Sequence, residues 1–416
     1  MNISRKQKLA LNGGEPIFDR TSIPQWPKYS SDIIKSVDSV LKSRTWGIGS
    51  DHKVQFEEEF ARFQDSKYAV AVANGSIALY IALKACDIKL DDEVIVPAYT
   101  FQATAISVLL ANAIPVFADI DSSTYNICPE SVESLIGNKT KAVIAVHLGG
   151  QPANMSKLKE ICNRNGLILI EDAAQAHGAE WKGKKVGSIG DAGIFSFQSS
   201  KNMTAGEGGA LVTNSDALFD KAVAIHDCGR NPKSRKYEPE ISSLNFRMPA
   251  ISAGILLPQF KTIKAEIEIR SSNGVLLDEI LDSTNGIVPL EVDPSVTVHA
   301  RHLYIMKYDK KQFSGIPRDK LISALVAEGL PASAGYKPLH QQLSTTLEFD
   351  SYPWISKEKY FDVKLPESEA AANQEALWFP QNILLCAEEL LKMIPEIFEK
   401  IKENAASLIK LRVMTS

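Results

Sequence analysis

Short apolar runs alternate with amphipathic segments from Tyr68 to Thr213, and this alternation constrains the fold more than any other feature of the sequence. Strands that alternate with helices require crossover connections, which produce a largely parallel sheet covered by helices on both faces. The predicted strands are residues 68–73, 93–96, 116–119, 141–148, 167–170, 194–197 and 210–213. The predicted helices are residues 32–43, 54–64, 76–86, 103–111 and 155–165. We therefore expect an α/β domain with about seven strands.

The pattern changes after about Leu257, where a second region of different character begins. The predicted elements there are a long helix at residues 260–281, strand-like pieces at 296–308, a helix at 319–328 and a C-terminal amphipathic helix at 388–407. This mixture indicates a smaller α+β domain. We expect a large domain at residues 1–260, including an irregular, proline-rich start, and a small domain at residues 261–416.

Charge and composition favour a small molecule as the binding partner. The formal net charge is -4, with 44% hydrophobic and 23% charged residues, so no strong field attracts nucleic acid or an anionic membrane. The sequence has no apolar run of the roughly 18 residues that a membrane helix needs and no pattern of a secretory signal. The five cysteines are scattered without a CxxC pair, which favours a cytoplasmic location and predicts no metal site.

Three chemically distinctive pieces follow predicted strands. They are Asn74-Gly75-Ser76, Glu171-Asp172 and the loop that carries Lys201. Ligands of open α/β sheets bind at the carboxyl ends of the strands. We therefore interpret these pieces as parts of one site.

Each piece has a functional and a structural interpretation. Lys201, among small polar residues and glycines, could be a sheltered Schiff-base lysine or a solvated surface residue. Asp172 could pair with a protonated pyridine nitrogen or cap a helix. Asn74-Gly75-Ser76 could cradle a phosphate at a helix start or act only as a helix cap. Their order along the chain favours a pyridoxal 5'-phosphate (PLP) site.

With these residues in place, the sequence resembles the DegT/DnrJ/EryC1/StrS family of sugar aminotransferases over nearly its whole length. The matching motifs are NGS at 74–76, VPAYTF at 96–101, PVFAD at 115–119, VHLGG at 146–150, EDAAQ at 171–175, residues 196–210, NFRM at 245–248, and the segments 9–14 and 377–380. The resemblance implies an aspartate-aminotransferase-like fold (PLP fold type I) and a PLP-dependent aminotransferase of aminosugar or aminocyclitol biosynthesis.

The resemblance also implies roles for individual residues. Lys201 would carry PLP and act as general base, and Asp172 would pair with the pyridine nitrogen. Phe101 would stack on the ring, and Gln175 would lie near the phenolic oxygen. The phosphate would be bound by Gly75, Ser76, Ser196 and, from the neighbouring subunit, Asn245. That last role implies a homodimer with shared active sites.

The residues of the loop around Lys201 favour one class of acceptor substrate. Gly206-Glu207-Gly208-Gly209 and the segment around Arg230 are closer to glutamine:scyllo-inosose aminotransferases and 3-amino-5-hydroxybenzoate synthases than to many nucleotide-sugar members. We therefore expect L-glutamine or L-glutamate as donor and a keto group of a cyclitol or monosaccharide as acceptor. A keto nucleotide sugar is the alternative acceptor. Candidate substrate residues, each of which could instead be structural, are His147, His177, Arg230, Arg247, His302 and Tyr336.

Three other classes of protein are alternatives to this interpretation. Some family members are dehydratases with histidine at the lysine position, and Lys201 argues against that class. A non-catalytic regulatory protein on the same fold is a second alternative, although the key residues are all present. A plain nucleotide-binding protein is disfavoured because the sequence has no GxGxxG or Walker loop.

Overall fold

The computed structural model describes residues 7–230 and 239–410. Its strands and helices alternate as expected, and each of the seven strands predicted in the first half lies within two residues of its expected ends. The strands are β1 Tyr68–Val72, β2 Glu93–Pro97, β3 Ile114–Ala118, β4 Thr140–Val146, β5 Ile168–Asp172, β6 Glu180–Trp181, β7 Lys184–Lys185, β8 Ala192–Ser196, β9 Gly209–Thr213, β10 Ile287–Pro289, β11 Val296–Val298, β12 Leu303–Tyr308 and β13 Ala376–Pro380.

The large sheet has seven strands in the order β1-β9-β8-β5-β4-β2-β3. β9 pairs antiparallel with both neighbours, whereas the other pairs are parallel. These strands are buried almost throughout, which explains why they read as continuous apolar runs. The carboxyl ends of β5 and β8, at Asp172 and Ser196, therefore lie on the same edge of the sheet.

Helices cover the sheet and build most of the second half of the chain. They are α1 Ser31–Ser43, α2 Asp51–Phe63, α3 Gly75–Ala85, α4 Ala103–Leu110, α5 Pro129–Ser134, α6 Met155–Asn165, α7 Asp216–His226, α8 Ala250–Leu256, α9 Ile263–Leu281, α10 Arg318–Ala327, α11 Leu339–Thr346, α12 Lys357–Tyr360, α13 Pro366–Ala370, α14 Glu388–Leu391, α15 Ile394–Glu403 and α16 Ala405–Lys410. None of the helices in these described parts is long and apolar enough to cross a membrane.

The second half has its own sheet and its own core. Strands β10, β12 and β13 form an antiparallel sheet in the order β10-β12-β13. A second apolar cluster combines residues of this sheet with helices α9, α10 and α15, and it also contains Leu9 and Phe18 from the start of the chain. The N-terminal segment thus packs into the core of the C-terminal region, while the domain boundary near residue 260 stays a prediction.

The predicted C-terminal helix at residues 388–407 is wrong as a single element. The structure divides this segment into α14, α15 and α16. Pro395 lies in the first turn of α15, where a backbone N–H group has no helical partner, so the proline costs no hydrogen bond there. The same missing N–H group prevents α14 from continuing through this position. A second break lies at Asn404, whose side chain donates a hydrogen bond to Lys400 O at 2.8 Å.

Candidate active site

Lys201 lies in the loop after β8 and is held there by its backbone. Its N–H group donates to Gln198 O at 2.9 Å, and its carbonyl accepts a hydrogen bond from Trp26 Nε1 at 3.0 Å. Within the described residues, no side chain forms a hydrogen bond or ion pair with its Nζ. Burial lowers the pKa of Lys201 to about 8, although the nearby Asp172 acts in the opposite direction. A neutral, nucleophilic amine is therefore accessible near neutral pH.

Asp172 ends β5 as a buried carboxylate with two hydrogen bonds. Its Oδ2 accepts from Thr104 Oγ1 at 2.9 Å and its Oδ1 from Ala174 N at 3.2 Å. Burial raises the pKa of Asp172, and these two hydrogen bonds only partly oppose that effect. A cation placed beside the carboxylate would stabilise its charged form.

The start of α3 forms an open cradle of backbone N–H groups. Asn74 Oδ1 caps the helix by accepting from Ile77 N at 2.9 Å. Neighbouring strands approach this turn so closely that only glycine fits. A Cβ at Gly75 would lie 2.8 Å from Ser196 Cβ, and one at Gly209 would lie 2.7 Å from Gly75 N. A helix N-terminus with this access binds a phosphate group favourably.

Phe101 and Tyr336 line the space between the cradle and Asp172. Phe101 is 50% exposed, which is unusual for its size and leaves a ring face open for stacking. The ring of Tyr336 lies 6.1 Å away, centroid to centroid. Gln175 Nε2 donates to Tyr336 Oη at 2.8 Å while its Oε1 accepts from Gly149 N at 2.7 Å. Tyr336 Oη thus keeps its own proton available to the cavity.

These groups surround one cavity of about 800 Å³, within the size range of small-molecule sites, about 300 to 1,000 Å³. His302 also lines it, with Nδ1 3.1 Å from Asn202 Oδ1. Burial lowers the pKa of His302 well below its usual value, so this ring is neutral. The predicted site residues that line the cavity are Gly75, Ser76, Phe101, Asp172, Gln175, Ser196, Lys201, His302 and Tyr336.

Two of the predicted substrate residues, His147 and His177, are fully buried in the protein. His147 Nδ1 accepts a hydrogen bond from Ala153 N at 3.0 Å, so its Nε2 carries the hydrogen that it shares with Glu171 at 3.1 Å. His177 lies among phenylalanine rings, and burial lowers its pKa to about 3. Neither lines the cavity, because the fold buries both side chains completely.

The three predicted residues after α7 also lie away from the cavity wall. Arg247 forms an ion pair with Asp227, and Arg230 Nη1 lies 3.6 Å from the same carboxylate. Asn245 is exposed. Its segment runs along the edge of the large sheet, where Arg247 forms a β-bridge with Val72. Asn245 therefore lies on the surface of this chain.

Sequence reasoning missed several residues that support the site. Thr104 holds Asp172, and Trp26 holds the Lys201 backbone. Glu171 accepts hydrogen bonds from Gly187 N, Ile189 N and Gly190 N at 2.8, 2.7 and 2.6 Å, which ties the loop before β8 to the end of β5. The sequence indicated the supporting role of Glu171 only through its place directly before Asp172.

The cavity fits PLP by three independent observations. The buried carboxylate of Asp172 has no cationic partner among its hydrogen bonds. The Nζ of Lys201 is sheltered, and the described residues offer it no hydrogen-bond or ion-pair partner. The start of α3 at Gly75 must be bare backbone, because a Cβ there would lie 2.8 Å from Ser196 Cβ. These features match a pyridinium nitrogen, an aldehyde and a phosphate respectively.

Comparison with known proteins agrees with this geometry. The model of the DegT/DnrJ/EryC1/StrS aminotransferase family matches residues 27–397. A Micromonospora echinospora protein, provisionally named L-glutamine:3-amino-2,3-dideoxy-scyllo-inosose aminotransferase, is 35% identical over 97% of this chain and 99% of its own length. A Geobacillus stearothermophilus protein named pleiotropic regulatory protein is 36% identical over 92% of this chain and 98% of its own.

The crystal structure of 3-amino-5-hydroxybenzoic acid synthase superposes with a TM-score of 0.83 at 31% identity, covering 94% of this chain and 100% of that one. This likeness confirms the expected α/β architecture of an aminotransferase. The chain belongs to the DegT/DnrJ/EryC1/StrS aminotransferase family.

Proposed function

We propose that this aminotransferase carries PLP on Lys201 and transfers the amino group of L-glutamine or L-glutamate to a ring ketone of a cyclitol or monosaccharide. The observation that carries the proposal is the convergence of Lys201, Asp172, Phe101 and the start of α3 on one cavity. The relative from Micromonospora echinospora is named for a glutamine donor and a scyllo-inosose-type acceptor, which supports this choice of substrates.

Each residue of the site would have its own role in the reaction. PLP supplies an electron sink for the negative charge that develops on the carbon losing its proton. Asp172 holds the ring nitrogen in its protonated form. Gly75, Ser76 and Ser196 would bind the phosphate, and Phe101 would cover one face of the ring.

Lys201 would also act as the general base. Its neutral Nζ would take a proton from the carbon of the amino donor and return it to the carbon that receives the amino group. Burial prepares this role because it lowers the pKa of Lys201 to about 8, near the pH at which a general base works best.

The same proposal includes a homodimer in the cytoplasm. Asn245 is exposed beside the sheet edge that ends at the phosphate cradle, and it would reach the cofactor of the neighbouring subunit. Gln175 is engaged with Tyr336, and we propose that the two residues act together on an oxygen of the cofactor or substrate.

A half-reaction with purified protein tests the proposal. The protein is expected to show the visible absorbance of PLP bound to a lysine, and L-glutamine should bleach this absorbance as the amino group moves to the cofactor. L-Glutamate and L-alanine are compared as donors. Ketocyclitols and keto nucleotide sugars are then screened for recovery of the original absorbance.

Lys201→Ala is the control for this measurement, because it removes the covalent attachment. The variant should lose or alter the visible band and should not respond to glutamine. A wild-type protein that binds PLP but reacts with no amino acid would contradict the proposal. It would favour a non-catalytic role, such as the regulatory name of the Geobacillus stearothermophilus relative suggests for that protein.

A further inference from the structure

The indole of Trp26 contacts the main chain of Lys201 from outside the active-site cavity. Its Nε1 donates to Lys201 O at 3.0 Å, and among the described residues no other group donates a hydrogen bond to that oxygen. Trp26 does not itself line the active-site cavity. Any effect of this indole on the reaction would therefore pass through Lys201.

The loop that carries Lys201 lies between two cavities. Lys201 lines the active-site cavity, whereas the residues that follow it line a second cavity of about 690 Å³, together with Trp26. The loop residues on this second wall are Asn202, Thr204, Ala205 and Gly206. Close packing holds most interior segments of a protein in place, but a loop with a cavity on each side depends more on directed hydrogen bonds.

Arg270 of α9 holds the indole in its orientation. Its guanidinium carbon lies 5.2 Å from the centre of the Trp26 ring, a distance typical of a cation–π contact. Arg270 is fully buried, and its Nε donates to Gln381 Oε1 at 2.8 Å. Because the guanidinium is planar and held in place, it fixes the indole and with it the direction of the Nε1–H bond.

Two further contacts fix the chain on either side of Trp26. Asn382 Nδ2 donates to Pro24 O at 3.1 Å, and Lys28 Nζ donates to Glu266 Oε1 at 2.9 Å. The groups that hold this segment thus come from the chain after residue 260. The indole therefore connects the C-terminal region to the loop that carries the lysine.

We propose that Trp26 is a positioning residue for Lys201 in proton transfer. This inference rests on the proposed function and deepens it, because it names what locates the general base when its Nζ is not bonded to the cofactor. A lysine side chain has a flexible four-carbon stem, so the main chain at Lys201 determines which atoms Nζ can reach. A misplacement of about 1 Å can slow a reaction about 100-fold, and the hydrogen bond from Trp26 opposes such a displacement.

The experiment follows single turnovers of Trp26→Phe with L-glutamine or L-glutamate, whichever bleaches the wild type. Phenylalanine keeps an aromatic ring against Arg270 but has no N–H group. The rate constant should fall about 10-fold, the upper range for the loss of one hydrogen bond, while the PLP content stays at the wild-type level. The donor deuterated at its α-carbon should give an isotope effect at least as large as in wild type, because proton transfer is the slowed step.

A second variant separates the N–H group from the size of the ring. β-(3-Benzothienyl)alanine at position 26 has the shape of tryptophan with sulfur in place of the N–H group, and it should show the same fall. If Trp26→Phe does not fold, this variant decides alone.

Trp181→Phe is the matched control. Trp181 is buried, its Nε1 donates to Ser156 Oγ at 2.9 Å, and it does not line the active-site cavity. This variant also loses an indole hydrogen bond, but one that does not reach Lys201. It should leave the rate constant and the isotope effect at their wild-type values.

An unchanged rate constant in either folded variant at position 26 would overturn the inference. A fall with a smaller isotope effect would also overturn it, since a step other than proton transfer would then be slowed. Loss of PLP, or an equal fall in Trp181→Phe, would assign Trp26 to general support of the fold instead. A misfolded fraction lowers only the amplitude of bleaching, so it cannot imitate the expected fall in rate constant.

A wild type that reacts with neither amino donor would contradict the proposed function itself. That result would be seen before any variant is compared, so the two failures are distinguishable.

Discussion

Lys201 and Asp172 show how burial acts in opposite directions on a base and on an acid. Burial lowers the pKa of Lys201 to about 8, which favours the neutral amine. It raises the pKa of Asp172, which favours the neutral acid unless a cation is near. A protonated pyridine nitrogen would be that cation, so Asp172 and PLP would stabilise each other's charged forms.

The role of Asp172 can be tested by Asp172→Ala. Because the covalent bond to Lys201 and the phosphate cradle are unaffected, we expect this variant to retain some PLP. Turnover should fall by two to three orders of magnitude, about 100- to 1,000-fold, as is common when one preorganised electrostatic group is removed. Absorbance measures the PLP content of the variant, and steady-state kinetics measure its turnover.

Thr104→Val is a milder change to the same site, since it removes only the hydroxyl that donates to Asp172. It should lose less activity than Asp172→Ala and keep its PLP. Near-normal turnover in Asp172→Ala would refute the assigned role, whatever the result for Thr104→Val.

Among the elements, the antiparallel strand β9 brings Gly209 against the first turn of α3. In Gly209→Ala, the new Cβ would lie 2.5 Å from Asn74 O and 2.7 Å from Gly75 N, so the cradle would have to open. We expect weaker binding of PLP and a loss of about 1 to 3 kcal/mol in the free energy of unfolding, typical of overpacking. PLP titration and denaturant unfolding measure these effects.

Gly47→Ala is the control for this prediction, because no heavy atom of the described residues, its two chain neighbours aside, lies within 4 Å of a Cβ at that position. It should change neither PLP affinity nor stability appreciably. A Gly209→Ala variant that is less stable but binds PLP normally would show that β9 supports the sheet without shaping the cradle.

The elements also show how far sequence reasoning reaches. Strands of the large sheet were found because buried parallel strands form continuous apolar runs. The C-terminal segment was wrongly predicted as one helix. Its apolar periodicity continues across Pro395, although the helical hydrogen bonds do not. The strand at residues 376–380 was not predicted, although residues 377–380 were matched to the family, since a five-residue run carries no periodic pattern that distinguishes a strand from a helix.

The candidate site was predictable where chemistry depends on local sequence. Lys201, Asp172 and the start of α3 stand beside strand ends and glycines, and the structure brings them together. His147 and His177 were named as candidate substrate residues but do not line the cavity, because burial depends on distant packing that one histidine does not reveal. Thr104 and Trp26 were missed because their partners are distant in sequence. Thr104 contacts Asp172 across 68 residues, and Trp26 contacts Lys201 across 175.

In the whole molecule, the N-terminal segment connects the two cores. Leu9 and Phe18 pack in the second core, and Trp26 reaches the Lys201 loop. Glu328 holds this segment, because its carboxylate accepts hydrogen bonds from Ala10 N at 2.9 Å and Ile17 N at 3.1 Å. The position of the segment that touches the catalytic loop therefore depends on a buried charge in the C-terminal region.

Lys400 balances that charge. Its Nζ lies 2.9 Å from Glu328 Oε2 and donates to Glu15 O at 2.8 Å, with both charged side chains almost fully buried. Lys400→Met leaves Glu328 without its cation, and removing one partner of a buried pair costs about 3 to 5 kcal/mol of stability. Lys392→Met, which removes an exposed lysine paired with the exposed Glu388, should cost less than about 1 kcal/mol.

A double-mutant cycle with Glu328→Gln distinguishes the lost pair from lost packing, with stability measured by denaturant unfolding. A glutamine at position 328 carries no charge and can accept only one of the two backbone hydrogen bonds, because Ala10 N donates to Oε1 and Ile17 N donates to Oε2. The double variant Glu328→Gln/Lys400→Met should therefore be more stable than the sum of the two single losses predicts. Strictly additive losses would show that Lys400 acts through packing alone, and the N-terminal segment would then owe its position to Leu9 and Phe18 rather than to the buried ion pair.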